Sequence, residues 1–331
     1  MREAAAVLGA GAYGTALAQT MARNGHCVRL WSVEERVLAE VRERRRNSAY
    51  MPGVRLHRLI EPVAGLAEAV AGASVVLITV PSRVVRSLAR QVAPHLRPGT
   101  VTVNAAKGLE QGSNLRMSQV LAQELSPPLA EGIATMGGPA IARELARGHP
   151  TALVVAAQEL ALAERVRGFL QNSYVRVAVV TDRTGVEVGA ALKNVYAIAL
   201  GLCDGLRLGA NVKAILGTAA LREMADIAVA LGGQEETIYG LAGLGDFLAT
   251  AYSPVSRNRT LGEKLGRGQD WRGFLETHTV EGVAAARAFR ELTAGLGLRL
   301  PLLDAVHALL FEGADPAETL RSLVASLTFA R

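Results

Sequence analysis

Lys193 stands in an unusual place for a cation. It lies within Ala190-Ala191-Leu192-Lys193-Asn194-Val195-Tyr196-Ala197, in the most apolar helical stretch of the chain. An ammonium flanked by Ala, Leu, Val and Tyr is hard to keep fully solvated. Burial disfavours the charged form and lowers the pKa, which suits a group that donates and accepts a proton near neutrality. Otherwise the long stem carries the charge out to water. Glu187, six residues earlier, falls on a different helical face, so no local ion pair explains the lysine.

A second cluster is Gly9-Ala10-Gly11-Ala12-Tyr13-Gly14, placed directly after the apolar run Ala5–Leu8. Gly9 permits a tight turn, Gly11 lets backbone approach a pyrophosphate, and Gly14 allows close contact between helix and strand. The helix that follows offers free N–H groups and a positive dipole end to phosphates. This arrangement points to a dinucleotide. The choice between NAD and NADP is written after the second strand, where the chain reads Trp31-Ser32-Val33-Glu34-Glu35-Arg36. Acids and an arginine both follow, a residue or more late, and Glu34 and Glu35 serve equally well as acids facing a helix dipole. Both cofactors stay open.

Ligands of open α/β sheets collect beyond the carboxyl ends of the strands. Three such ends carry candidate groups: Val80-Pro81-Ser82, Asn104-Ala105-Ala106-Lys107-Gly108-Leu109-Glu110, and Met136-Gly137-Gly138-Pro139-Ala140. Lys107 could reach a substrate oxygen or simply face solvent. Further on, Gly243-Leu244-Gly245-Asp246 supplies an acid and Ser256-Arg257-Asn258-Arg259 reads as a polar loop. Arginine forks bind phosphate bidentately, although surface solvation explains Arg257 and Arg259 as well.

The elements that must position these groups follow from periodicity. Strands are expected at Ala5–Leu8, Val28–Trp31, Val75–Val80, Val101–Asn104, Ile133–Met136, Ala152–Ala156 and Val175–Val180. Between them, Thr15–Arg23, Val33–Arg44, Arg83–Val92 and Leu160–Leu170 have helical spacing. Strands alternating with helices imply βαβ units and a mainly parallel sheet, covered on both faces. After about Thr181 the strand runs stop. Thr184–Leu202, Val212–Leu231, Gly282–Leu296, Leu303–Leu310 and Pro316–Leu327 all read as helices. The fold class is therefore α/β: a mainly parallel sheet domain at 1–183, then an all-helical C-terminal domain at 184–331. The cleft between two such domains is the default ligand site.

Composition sets outer bounds. A chain of 331 residues is long enough for two domains that need neither disulfide nor metal to fold. Two cysteines, Cys27 and Cys203, suit a reducing compartment, and no Cys/His cluster has zinc spacing, so no metal is expected. The net charge of +6 and pI near 9.7 invite a nucleic-acid partner. Against this, acids and bases interleave, aromatics are only 4%, and the basic cluster Arg42–Arg46 reads as a solvated helix end. Arg2 and the apolar run before Ala16-Leu17-Ala18 superficially resemble an export signal, but Gly9, Gly11 and Gly14 interrupt it. The best membrane candidate, Val186–Leu202, carries Glu187 and Lys193. A cytoplasmic protein without integral membrane association is expected.

Taken together, the segments resemble NAD(P)-dependent glycerol-3-phosphate dehydrogenase of the bacterial type. The resemblance spans nearly the whole chain. It is carried by GAGAYGTALA at Gly9–Ala18, KGLE at Lys107–Glu110, the run Gly138–Arg147, GAALKNVYA at Gly189–Ala197, CDGLRLGAN at Cys203–Asn211, AGLGD at Ala242–Asp246, SRNR at Ser256–Arg259 and VEG at Val280–Gly282. It implies a Rossmann-type N-terminal domain, a helical C-terminal domain and reversible reduction of dihydroxyacetone phosphate to sn-glycerol 3-phosphate by NADH or NADPH, feeding glycerophospholipid synthesis. By position, the resemblance makes Lys193 the catalytic lysine and Lys107 a contact to both substrate and cofactor, with Asp246 and Thr250 in the same polar network. Ser256, Arg257 and Asn258 match the anchor of the substrate phosphate, with Gly138 and Ala140 also on the substrate side. Gly9, Gly11, Ala12, Tyr13, Gly14, Val33, Lys107, Ala142, Arg257, Thr279 and Glu281 fall at cofactor positions. A homodimer is compatible with this class.

The chain departs from that pattern in places. Ala140 replaces the usual Ser or Thr, Gly137 a more usual Ser, and Val33 is not basic. Two rivals follow: a β-hydroxyacid dehydrogenase acting on a non-phosphorylated acid, and a non-catalytic dinucleotide sensor. The Ser256–Arg259 segment speaks against the first, and retention of Lys193, Lys107 and Asp246 against the second.

Overall fold

The first half of the chain builds one eight-stranded sheet; the computed structural model describes residues 3–328. Its strands are β1 (Ala4–Leu8), β2 (Val28–Trp31), β3 (Ile60–Val63), β4 (Ala73–Ile78), β5 (Val101–Asn104), β6 (Ile133–Gly137), β7 (Thr151–Ala157) and β8 (Val175–Val180). They lie in the order β3-β2-β1-β4-β5-β6-β7-β8, and every pairing is parallel except β6 with β7. The order reverses direction on either side of β1, which places a switch point between β1 and β4. Val7 pairs with Leu30 on one side and Leu77 on the other, so the chain after Leu8 leaves the middle of the sheet.

Both faces are covered, which is why the strands read as continuous apolar runs. Leu17, Met21, Val37 and Val166 pack on one face, and Val85, Leu88, Val120 and Leu121 on the other. β3 is the strand that the periodicity misses. It is only Ile-Glu-Pro-Val, at the sheet edge, where Pro62 costs no ladder bond. The basic cluster ends the helix Glu35–Arg44, with Arg45 in the left-handed region at φ 52°.

By its internal contacts the chain forms two units. One holds the residues up to Ala106 together with Leu115–Arg183; the other holds Lys107–Asn114 and the residues from Thr184 onward. The second unit is helical and centres on the helix Arg183–Gly205, nearly all of which is buried. Among the described residues this helix alone is long and apolar enough to cross a membrane, and it is buried inside the unit.

The helix Arg257–Gly266 crosses it at close range. A Cβ on Gly201 would stand 2.0 Å from the Arg259 carbonyl oxygen, and one on Gly262 would stand 1.9 Å from that of Ile198. Gly205 and Gly266, one turn further along, meet Glu263 O at 2.4 Å and Leu202 O at 2.7 Å in the same sense. Two glycine pairs at i,i+4 spacing thus bring backbone against backbone. The residues 256–259, expected as a polar loop, are instead the N-cap and first turn of this helix, with Ser256 Oγ accepting from Arg259 N at 3.3 Å.

A buried carboxylate braces the other side of the central helix. Glu223 accepts from Leu302 N at 2.6 Å, Leu303 N at 3.0 Å and the Tyr196 hydroxyl at 2.9 Å, capping the helix Pro301–His307. Burial pushes its pKa up to about 7 despite these donors. Glu223→Leu would strand two N–H groups and a hydroxyl, and should cost about 3 kcal/mol or more in denaturant unfolding. The folded pKa lies above the unfolded one, so this group's stabilisation is complete at low pH and is lost as pH rises toward about 7. Glu223→Gln should flatten that slope in unfolding curves taken between pH 5 and pH 8, roughly the window of the shift.

Candidate active site

Two ammonium groups meet one carboxylate in the helical unit. Asp246 Oδ2 accepts from Lys107 Nζ at 3.0 Å, and its Oδ1 accepts from Lys193 Nζ. Lys193 is 4% exposed and Asp246 2%, so the pair is effectively out of water. Desolvation is the main force on the Lys193 ammonium and lowers its pKa to about 7; the Asp246 charge opposes this and the Lys107 charge adds to it. With both lysines protonated the trio carries one more positive than negative charge. Such a cluster, held in place before any ligand arrives, stabilises negative charge that develops beside it.

Local structure explains how each side chain is aimed. Lys193 sits mid-helix in Arg183–Gly205. Lys107 follows the end of β5, where Asn104 Oδ1 accepts from Ala106 N at 3.0 Å and fixes the turn. Asp246 marks a change of helix type: Leu241–Gly245 is π-helical and Asp246–Ala251 is α-helical. Single π turns inside helices concentrate at functional positions. Gly243 allows this one, since a Cβ there would stand 2.1 Å from Ile238 O. Thr250 Oγ1 donates to Asp246 O at 2.8 Å, so it supports the turn rather than the carboxylate.

The candidate phosphate anchor lies in the same unit. Asn258 is buried and its amide is engaged at both ends: Nδ2 donates to Asn194 Oδ1 at 2.9 Å, and Oδ1 accepts from Gly282 N at 2.9 Å. What remains at this helix start are its first backbone N–H groups and the Arg257 guanidinium, which reaches Thr279 O at 3.4 Å. Glu281 opens the next helix, Glu281–Thr293, alongside Gly282. The structure therefore joins Lys193, through its neighbour Asn194, to Asn258 and the segment 279–282.

In the sheet unit the glycine turn has the shape a dinucleotide needs. Gly9 has φ +122°, and a Cβ there would stand 2.9 Å from Thr79 Oγ1. Gly14 faces Gly9 O, 2.0 Å from a would-be Cβ, while nothing lies within 4 Å of one at Gly11. Backbone at Gly11 is thus open to a pyrophosphate, at the N-terminus of the helix Ala12–Arg23. The residues present fit the cofactor. Tyr13 points toward the end of β6, with its hydroxyl 3.5 Å from Met136 Sδ. Past that strand end lie Gly138 (φ +103°), half-buried Ala140, and Ala142 at the start of Ala142–Arg147. Val33 is 83% exposed just beyond β2.

Several supporting residues escaped the sequence reading. Asn47 is fully buried and donates to Ala10 O and Thr15 Oγ1, both at 2.8 Å, locking the glycine turn. Thr79 Oγ1 donates to Gly9 O at 2.9 Å. Asn194 was visible only as the residue after Lys193. Neither Asn47 nor Thr79 carries a signal in periodicity or spacing.

Comparison with known proteins agrees with this architecture. Residues 4–163 match the model of a family described as NAD-dependent glycerol-3-phosphate dehydrogenase N-terminus, and residues 182–321 match the corresponding C-terminus. The chain is 43% identical to a protein of Moorella thermoacetica named glycerol-3-phosphate dehydrogenase [NAD(P)+], over 98% of this chain and 96% of the relative. A protein of the same name from Koribacter versatilis is 40% identical, covering 96% of each. The crystal structure of glycerol-3-phosphate dehydrogenase from Coxiella burnetii superposes with a TM-score of 0.91 at 33% identity, covering 98% of this chain and 99% of that one.

Proposed function

The chain belongs to the NAD-dependent glycerol-3-phosphate dehydrogenase family, and on that footing we infer that it reduces dihydroxyacetone phosphate to sn-glycerol 3-phosphate with NADH or NADPH. It also runs the reverse oxidation and serves glycerophospholipid synthesis. The observation that carries this is the buried Lys193–Asp246–Lys107 cluster, joined by Asn194 and Asn258 to an arginine-bearing helix start.

The nicotinamide, when bound, supplies a hydride to the C2 carbonyl carbon. The chain's own residues do the rest. The glycine turn and the dipole of Ala12–Arg23 hold the pyrophosphate. Lys193 and Lys107 stabilise the oxyanion forming at C2, and Lys193 then gives its proton to that oxygen. Its lowered pKa makes the ammonium a stronger acid toward that oxygen and lets the neutral amine take the proton back in the reverse reaction near neutrality. Asp246 keeps both ammoniums aimed. Arg257 and the N–H groups that follow Ser256 take the phosphate, and spend its binding energy on placing C2. Ala140 offers only a methyl where a hydroxyl is usual.

The proposal extends to a cytoplasmic homodimer with no nucleic-acid partner and no segment inserted in a membrane. Two free cysteines and burial of the one long apolar helix support the location; the dimer is carried over from the resemblance.

Loss of nicotinamide absorbance with dihydroxyacetone phosphate tests the reaction, with dihydroxyacetone as the unphosphorylated control. Turnover should require the phosphate. Arg257→Gln should lower kcat/KM by roughly 30-fold, the worth of one charge-assisted hydrogen bond, with the change shared between kcat and KM. Equal turnover of both ketones would move the assignment to the β-hydroxyacid class. Cofactor binding with no turnover of either would leave a dinucleotide sensor.

A further inference from the structure

We propose that Glu34 makes this chain select NADH over NADPH. The inference rests on the reading of Gly9–Gly14 as a dinucleotide site and deepens it. In such a site the ribose that carries or lacks the 2′-phosphate lies at the end of the second strand. That end is occupied by Ser32, Val33 and Glu34, all in the sheet unit.

The three suit a ribose hydroxyl better than a phosphate. Ser32 is buried, and its Oγ accepts from Glu34 N at 3.1 Å. Val33 is exposed and has no donor. Glu34 is the N-cap residue of Glu35–Arg44 and cannot swing freely. The Tyr50 hydroxyl donates to its Oε1, while Arg36 Nη2 and Nε donate to its Oε2 at 2.7 and 3.1 Å. These two partners, Tyr50 first, hold its carboxyl below the usual range, so it stays charged throughout the working pH range.

A fixed carboxylate at this position accepts a hydrogen bond from a 2′-hydroxyl and repels a 2′-phosphate. Arg36 is the cation that could have reversed this preference, but its guanidinium is already committed to Glu34. Its Nε and Nη2 are used on the carboxylate, so a 2′-phosphate approaching Nη1 meets a neutralised pair and not a free cation. Tyr50 holds the carboxylate from the other side, so the negative charge stays when Arg36 moves.

The test is a binding titration, which needs no turnover. Dissociation constants for NADH and NADPH are read from nicotinamide fluorescence, with competition by 5′-AMP and 2′,5′-ADP isolating the ribose. The wild-type chain should hold NADH about tenfold or more tighter, the scale of one unit-charge contact near a surface. Glu34→Gln should tighten NADPH and 2′,5′-ADP by about the same factor and weaken NADH by less than that, since the amide oxygen still accepts from the 2′-hydroxyl. Arg36→Gln should keep NADH first. Tighter binding of NADPH by the wild type, an unchanged ratio in Glu34→Gln, or selective loss of NADPH in Arg36→Gln would each overturn the proposal while leaving the dinucleotide site intact. Failure to bind either cofactor would overturn the underlying reading, and the proposal with it.

Discussion

A Lys193→Met enzyme should lose ~10²–10⁴ of kcat, the range that positioned proton transfer supplies, and still bind dinucleotide normally. Methionine keeps the unbranched stem and the packing, and removes only the ammonium. Lys107 remains on Asp246, so the carboxylate is not left alone in the interior. The loss should fall on kcat more than on KM, because the interaction is made with charge that exists only as the reaction proceeds. The pH profile adds a second readout. Ketone reduction needs the protonated lysine, so kcat/KM of the wild type should decline as pH rises through about 7. The variant should lack that limb. Stability moves the other way: the folded pKa lies below the unfolded value, so the unfolded chain binds this proton more strongly over the window between them. The wild type should therefore gain stability from about pH 7 upward at this group. Near-normal turnover by Lys193→Met would remove the lysine from the chemistry.

Gly262→Val should be the most damaging single change to the fold. Its first added carbon would fall 1.9 Å from Ile198 O, and backbone cannot yield as a side-chain tip can. Relief requires the helix Arg257–Gly266 to lift from Arg183–Gly205, against four glycines placed for close approach. Overpacking of this kind costs about 3 kcal/mol or more, which thermal unfolding should register as a large fall in Tm or as loss of soluble protein. Gly262→Ala should act in the same direction, less severely. Gly217 is the control: it lies in the helix Ala210–Ala230 and nothing stands within 4 Å of a would-be Cβ. Gly217→Ala should stabilise by roughly 0.5–1 kcal/mol, through unfolded-chain entropy and helix propensity. Equal stability of Gly262→Val and the wild type would refute the close crossing.

The contrast between those two glycines shows what a sequence conceals. Both sit in helices, and no periodicity separates the one that touches a carbonyl from the one that faces open space. The sheet was legible because β1 and β4 to β7 are largely buried on both faces and so read as Val, Leu, Ile and Ala runs, while β2 and β8 alternate buried with more open positions. β3 was not, being four residues with a glutamate and a proline at an edge. The short helices Asp246–Ala251 and Arg257–Gly266 were hidden for a different reason. Asp246–Ala251 is only six residues long, and Arg257–Gly266 is polar with two glycines that meet the backbone of a distant helix, which local propensity does not record. At the site, residue types could be picked out one by one: a lysine in an apolar helix, another past a strand, an acid after glycines. Their meeting could not, since Asp246 lies 53 positions from Lys193 and 139 from Lys107. Glu223 looked like any acid among interleaved charges, although it is buried and capping a helix.

Lys107 has a further bearing on how this protein can be inherited. It belongs with the helical unit in its contacts, yet the chain reaches it by leaving the sheet unit after Ala106 and returning at Leu115. The helical unit is therefore encoded in two stretches, separated by about a fifth of the coding sequence. A recombination breakpoint near residue 183 would look innocent, since it spares every strand. It would nonetheless join a Lys107 from one parent to an Asp246 from the other. Homologous exchange can keep the enzyme working only where both parents have settled that contact in the same way. The eight residues 107–114 thus tie the evolutionary history of the front of the gene to that of the back.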